Sequence, residues 1–154
     1  MADYVKGKVV IITGGSSGFG LEAARLLLER GAKVAVTGRN ADRLNAAVED
    51  LKGGGSLLAV QADAKSTADW KRLLQQTAAR FGRIDVLVNN HGAGVKIAPT
   101  EEMDDASIQE ALDVNIASVI RGCRETIPYM KKHGSGLIIN VSSACAYHSW
   151  PTWG

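Results

Sequence analysis

The chain has 154 residues, of which 45% are hydrophobic and 22% charged, with a formal net charge of +2. That length suits one domain with a sizeable core, and the composition is that of an ordinary globular protein. The near-balanced charge offers no basic stripe, so nucleic acid is excluded as an expected partner. No apolar run approaches the length of a membrane span and no signal-peptide pattern opens the chain, so a cytoplasmic location is expected.

Lys8 to Arg30 reads KVVIITGGSSGFGLEAARLLLER. The apolar run Val9 to Ile12 predicts a strand ending at Thr13, and the glycine-rich loop Gly14 to Gly20 leads into an amphipathic helix with Leu21, Ala24, Leu27 and Leu28 on one face. Gly14 lets the strand turn sharply, Gly18 lets backbone approach a ligand without a Cβ, and Gly20 lets the helix pack close to the strand. A helix starting there aims unpaired N–H groups and a partial positive charge at the loop, which suits pyrophosphate. Strand, loop and helix together form a dinucleotide-binding fingerprint; a plain Gly-rich turn is the alternative.

The pattern then repeats. Gly31 is a plausible helix stop, and Lys33 to Thr37 is a second strand. Asn40 can cap a helix whose apolar face is Leu44, Ala47, Val48 and Leu51. Ser56 to Gln61 is a third strand, and Ser66 with Asp69 resembles a capping pair that opens a helix bearing Trp70, Leu73, Leu74, Ala78 and Phe81. Ile84 to Asn89 is a fourth strand, followed by a loop with Gly92, Gly94 and Pro99. One long helix is expected from about Asp105 to Lys132, kinked by Pro128, with Ile108, Ala111, Leu112, Ile116, Val119 and Cys123 as its apolar face. Leu137 to Ser142 is a fifth strand. Continuous apolar strands alternating with amphipathic helices predict a doubly wound α/β domain over 1–154, its parallel sheet covered on both faces.

TGGSSGFG at Thr13 to Gly20, NNHG at Asn89 to Gly92, DVN at Asp113 to Asn115 and INVSS at Ile139 to Ser143 stand in the order and on the elements of the short-chain dehydrogenase/reductase family, which the whole chain resembles. The resemblance implies a Rossmann-type sheet of strand order 3-2-1-4-5, without that family's C-terminal strands, and an NAD(P)-dependent oxidoreductase acting on a small-molecule alcohol or ketone. It places Thr13, Gly14, Ser16, Ser17, Gly18, Phe19 and Gly20 at the cofactor's phosphates. Asp63 and Ala64 then lie near the adenine, and Asn90, His91 and Gly92 along the nicotinamide-side ribose. His91 stands where the family has a small residue; it could tune the mouth of the site or pack beside the cofactor.

Where an NAD-preferring Rossmann domain carries an acid, this chain has Gly38 and then Arg39. An arginine suits the 2′-phosphate, which favours NADP(H) over NAD(H); a solvated loop charge is the alternative. Asn115 falls in the apolar stripe of its helix, where an amide needs partners or belongs to a site. By resemblance Asn115 helps hold a water-linked proton relay and Ser143 orients the substrate carbonyl.

The family's Tyr-x-x-x-Lys motif is missing, since the place for its tyrosine after Ser143 lies past Gly154. Tyr147 is followed at the motif spacing by Pro151 and Tyr129 by His133, while Tyr4 and Lys8 precede the first strand. An apolar fifth strand left at a sheet edge points the same way. The chain is therefore expected to be the N-terminal part of a longer enzyme, inactive alone and homo-oligomeric at full length. A noncatalytic dinucleotide-binding or interaction protein is the alternative. His133 reads as a solvated residue at a helix C-terminus. His148 with Ser143 does not make a hydrolase, because G-x-S-x-G is absent. Cys123 and Cys145 have neither metal-ligand spacing nor the density of a disulfide framework. Cys123 is expected to pack in its helix stripe and Cys145 to lie near the pocket, which Trp150 and Trp153 could help line.

Overall fold

The computed structural model describes residues 4–92 and 96–148; Gly94, Trp150 and Trp153 lie outside the described residues. Five parallel strands form one sheet, β1 (Val9–Thr13), β2 (Lys33–Gly38), β3 (Leu57–Gln61), β4 (Val86–Asn89) and β5 (Leu137–Asn140), in the order β3-β2-β1-β4-β5. The expected order is therefore the observed one. Each strand but the last feeds a helix: α1 (Gly18–Glu29), α2 (Ala41–Leu51) and α3 (Thr67–Phe81) follow β1, β2 and β3, and α4 (Asp105–Leu112) and α5 (Ser118–Lys132) follow β4.

Strand pleating sorts the core into two layers, because successive side chains leave opposite faces. Val10, Ile12, Val34 and Val36 pack with Ala24 of α1 and Leu44 and Leu51 of α2 on one face. Ile11, Ala35, Val60 and Leu87 pack with Trp70, Leu73 and Leu74 of α3 and Met130 of α5 on the other. Local chemistry sets the helix ends. Asn40 accepts the Arg43 N–H at 2.8 Å and Ser66 accepts the Asp69 N–H at 3.2 Å, as expected of caps. Asp69 does not complete a reciprocal box. Its carboxylate instead accepts the Asp63 N–H at 2.8 Å and pairs with Arg72 at 2.6 Å, and the Asp63 amide, foremost, holds its pKa below the ordinary carboxylate value.

One expectation fails beyond β4. The single long helix is broken into α4 and α5 by a π-helical turn, Asp113–Ala117, in which the Ser118 N–H reaches back to Asp113 O. Pro128 lies inside α5, which continues to Lys132. The expected apolar stripe is split: Ile108, Leu112 and Ile116 are exposed and Ala111, Val119 and Cys123 half-buried, while the fully buried positions are Val114, Ser118, Gly122, Thr126 and Met130. The reason is proximity. A Cβ on Gly122 would stand 2.6 Å from Trp70 Cζ2 and 2.9 Å from Asn89 Oδ1, so this helix lies too close to α3 and β4 for a large side chain. At the sheet edge, Leu137, Ile139 and Val141 are likewise exposed.

A buried acid ties β1 to β4. The Asp85 carboxylate, 6% exposed, accepts the Val9 N–H at 2.9 Å and pairs with Arg83 at 2.6 Å. Asp85→Ala is expected to destabilise the fold by about 2 kcal/mol in urea unfolding. The cost stays below that of a fully buried pair because Arg83, 41% exposed, rehydrates. Asp85→Asn, which keeps an acceptor for Val9, should lose about half as much.

Candidate functional site

The carboxyl ends of β1 to β4 open onto a cleft of about 370 Å³. The β1–α1 connection supplies Thr13, Gly14, Ser16, Ser17 and Phe19, and the stretch after β4 supplies Asn90, His91 and Gly92. Arg39 and Asn40 come from the end of β2, and Asp63 and Ala64 from the loop after β3. Eleven of the thirteen residues assigned to the cofactor from the sequence therefore line one cavity; Gly18 and Gly20 are not in its wall. Thr37, Arg43, Trp70 and Leu73 also line it and were not singled out for it. Arg43 could have been found, since it stands one helical turn beyond Arg39 and the Asn40 cap.

Gly14 and Gly18 both take positive φ, +66° and +54°, which turns the chain at the end of β1 and again at the start of α1. Gly20 is needed for space alone: a Cβ there would stand 2.4 Å from Gly14 O and 2.5 Å from Asn90 Nδ2. Asn90 fastens the loop from the other side, donating its amide to Thr13 O at 3.0 Å. Helices α2, α3 and α4 each have a side-chain cap and an acid in the first turn, but α1 has neither. Its first N–H groups and dipole are thus left for whatever occupies the cleft. Phe19 on that turn is 90% exposed.

At the β2 end, the guanidinium groups of Arg39 and Arg43 make no hydrogen bond or ion pair among the described residues. A Cβ on Gly38 would meet Ser16 Oγ at 2.8 Å, so the acid of an NAD-type strand end has no room without moving Ser16. Thr37 Oγ1 is buried there without a hydrogen-bond partner among the described residues.

His91 is half-buried between Thr13 and Ser118, with Nδ1 2.6 Å from Thr13 Oγ1 and Nε2 2.6 Å from Ser118 Oγ. Burial, partly opposed by the Asp63 charge, pushes its pKa below the ordinary histidine value. It also lines the cleft. Asn115 and Ser143 are not in the cleft wall. Asn115 is half-buried on the π-helical turn; its amide donates to Ala111 O at 3.1 Å, and its Oδ1 lies 3.3 Å from where a Gly92 Cβ would be. Ser143 is exposed after β5, its Oγ accepting the Cys145 N–H at 3.2 Å. Among the described residues no group of His, Cys, Asp and Glu could hold a metal ion, and no helix is long and apolar enough to cross a membrane.

A parallel sheet in this order, with a glycine-rich turn at β1 and a cleft across its carboxyl ends, is a Rossmann-type α/β fold. Residues 8–154 match the family model of the short chain dehydrogenases, and the chain belongs to that family. It is 40% identical to an NADP-dependent (R)-specific alcohol dehydrogenase of Lentilactobacillus kefiri, aligning over 100% of this chain and 61% of the relative. It is 34% identical to dehydrogenase/reductase SDR family member 4 of Caenorhabditis elegans over 95% and 57%. Against a peroxisomal 2,4-dienoyl-CoA reductase of Arabidopsis thaliana the identity is 32% over 96% and 53%. The chain thus spans between 53% and 61% of the length of these relatives.

Proposed function

We propose that the chain forms the cofactor-binding part of an NADP(H)-dependent short-chain dehydrogenase/reductase whose whole protein interconverts a small alcohol and the corresponding carbonyl compound. The observation that carries the reading is the pairing, in one cleft, of an uncapped α1 with two unpaired arginines at a strand end that carries a glycine in place of an acid. The backbone N–H groups at Gly18 to Gly20 bind the pyrophosphate, and Thr37 Oγ1 gains a partner. Arg39, with Arg43 behind it, binds the 2′-phosphate through charge-assisted hydrogen bonds. Asp63 and Ala64 flank the adenine, and Asn90 to Gly92 flank the nicotinamide-side ribose. The bound nicotinamide supplies or accepts the hydride.

Ser143 orients the substrate carbonyl once its Oγ is released from the Cys145 amide, and Asn115 anchors the proton relay. The tyrosine and lysine of the family motif have no counterpart in these 154 residues, so the chain alone is inactive. The exposed isoleucine face of α4 and α5 is where a homo-oligomer of the whole protein forms.

Titration of NADPH and NADH against the chain, followed by calorimetry or cofactor fluorescence, tests the reading. NADPH is expected to bind more tightly. Arg39→Ala should weaken NADPH at least about tenfold, the worth of a charge-assisted hydrogen bond, and move NADH by no more than about twofold. Equal losses for both cofactors would return Arg39 to a solvated loop charge, and no saturable binding of either would remove the nucleotide reading.

A further inference from the structure

We infer that His91 is a positioning residue: as a neutral imidazole carrying its proton on Nε2, it clamps the π-helical turn that presents Asn115 to the end of β1. Its functional consequence rests on the cofactor reading above, whereas the clamp itself stands on hydrogen-bond accounting.

Thr13 Oγ1 has one proton and two lone pairs. It accepts the Asn90 N–H at 3.0 Å and the His91 N–H at 3.2 Å, which fills both lone pairs. Toward His91 Nδ1, at 2.6 Å, Thr13 must therefore donate, and this contact is shorter than its 3.2 Å alternative to Val88 O. With Nδ1 an acceptor, a neutral ring carries its hydrogen on Nε2 and donates it to Ser118 Oγ at 2.6 Å. Ser118 then donates to Val114 O. One direction of donation, from Thr13 through His91 to Ser118 and Val114, leaves every proton placed. The opposite tautomer would aim an N–H at an oxygen whose lone pairs are already taken.

The far end of this chain is the π-helical turn. The Ser118 N–H bonds Asp113 O rather than Val114 O, and the Ser118 hydroxyl takes up the Val114 carbonyl in its place. Asn115 is the next residue, and its Oδ1 faces Gly92, the neighbour of His91. A small residue at position 91 would leave Ser118 without the imidazole and the turn without its tie to β1. Because the chain ends on a backbone carbonyl, it has no onward acceptor for a proton, which makes His91 a holder of geometry rather than an acid or base. Protonation would put a hydrogen on Nδ1 facing Thr13 and reverse that contact. The charged groups bearing on the ring are Asp63, which favours protonation, and Arg39, which opposes it; burial acts in the same direction as Arg39 and outweighs Asp63 and the Val114 carbonyl.

The test needs no cofactor. In histidine-labelled protein, long-range proton–nitrogen spectra are expected to give His91, assigned by its loss in His91→Gln, as the neutral Nε2–H tautomer with a midpoint below about 6.5. An Nδ1–H tautomer, or mixed tautomers, would overturn the clamp. Amide exchange then separates positioning from bulk stability. In His91→Ala the Ser118 amide should quicken at least about tenfold more than those of Ile11 and Val36 in the central strands. His91→Gln, whose side-chain amide reaches the Nε2 position, should bring Ser118 back to within about threefold. Parallel quickening of all three amides, no quickening at Ser118, or no recovery in His91→Gln would each overturn the inference. Loss of NADPH binding by the unaltered protein would count against the cofactor reading alone and leave these readouts standing.

Discussion

Gly20→Ala is expected to abolish saturable NADPH binding and to lower stability by about 2–3 kcal/mol, the upper range for overpacking a closed site. The added methyl would stand 2.4 Å from Gly14 O and 2.5 Å from Asn90 Nδ2. Neither neighbour can yield cheaply. Gly14 O is backbone at the turn, and the Asn90 amide is held by Thr13 O and Gly14 O at 3.0 and 3.4 Å. The start of α1 must back away from the loop, taking with it the N–H groups proposed for the pyrophosphate. Gly18→Ala makes the contrast. Nothing lies within 4 Å of its Cβ, and only the φ of +54° resists it, at a strain of about 1–2 kcal/mol. Urea unfolding and NADPH titration of both variants check this pair of results; equal affinities would mean that close packing at Gly20 does not shape the cleft.

Trp70→Ala should be the most destabilising of the single changes considered, at about 3–5 kcal/mol. Trp70 is 2% exposed and lies between α3 and the small-residue face of α5. Its indole N–H donates to Ala64 O at 2.9 Å, which joins the core to the cleft wall after β3. Stability and affinity for the proposed cofactor should therefore fall together. Trp70→Phe keeps most of the volume and loses the hydrogen bond, so it should cost about 1–2 kcal/mol. Thermal and urea unfolding measure both, and a cost for Trp70→Ala below that of Trp70→Phe would contradict the packing described.

The alternation of strands and helices was legible because each element carries its own punctuation. Asn40 and Ser66 cap where expected, and Gly31 follows the end of α1 with φ +78°. The glycine-rich loop was legible for the same reason, being local in the chain, whereas the cleft walls at Asp63, Ala64 and Asn90 to Gly92 were legible only through the family resemblance. What escaped depends on which neighbour a surface meets. A helical period locates the apolar stripe of α4 and α5 but not its partner, and here the partner inside the chain demands small residues, so Ser118, Gly122 and Thr126 go inward and the isoleucines outward. The π-helical turn left no mark in the residue pattern. The role of His91 required Thr13 and Ser118, 78 and 27 residues away, to be placed beside it. Asp69 was found as part of a cap, yet its carboxylate serves a different amide.

The strand order also sets the sequence in which the molecule can assemble. Strands β2 and β3 can join β1 as soon as the first 61 residues are available, through pairings such as Val10 with Val34 and Val34 with Leu57. The contact of β1 with β4 pairs Val10 with Val86 and must close a far longer loop. Long-range closure of this kind slows a parallel sheet. The glycine-rich turn and the arginine end of the cleft therefore belong to an early unit, while Asn90 and His91 arrive with β4. During synthesis from the ribosome the half of the cleft proposed to meet phosphate exists before the half proposed to meet the nicotinamide, and on that reading nucleotide capture begins to favour the fold only after the second half has docked.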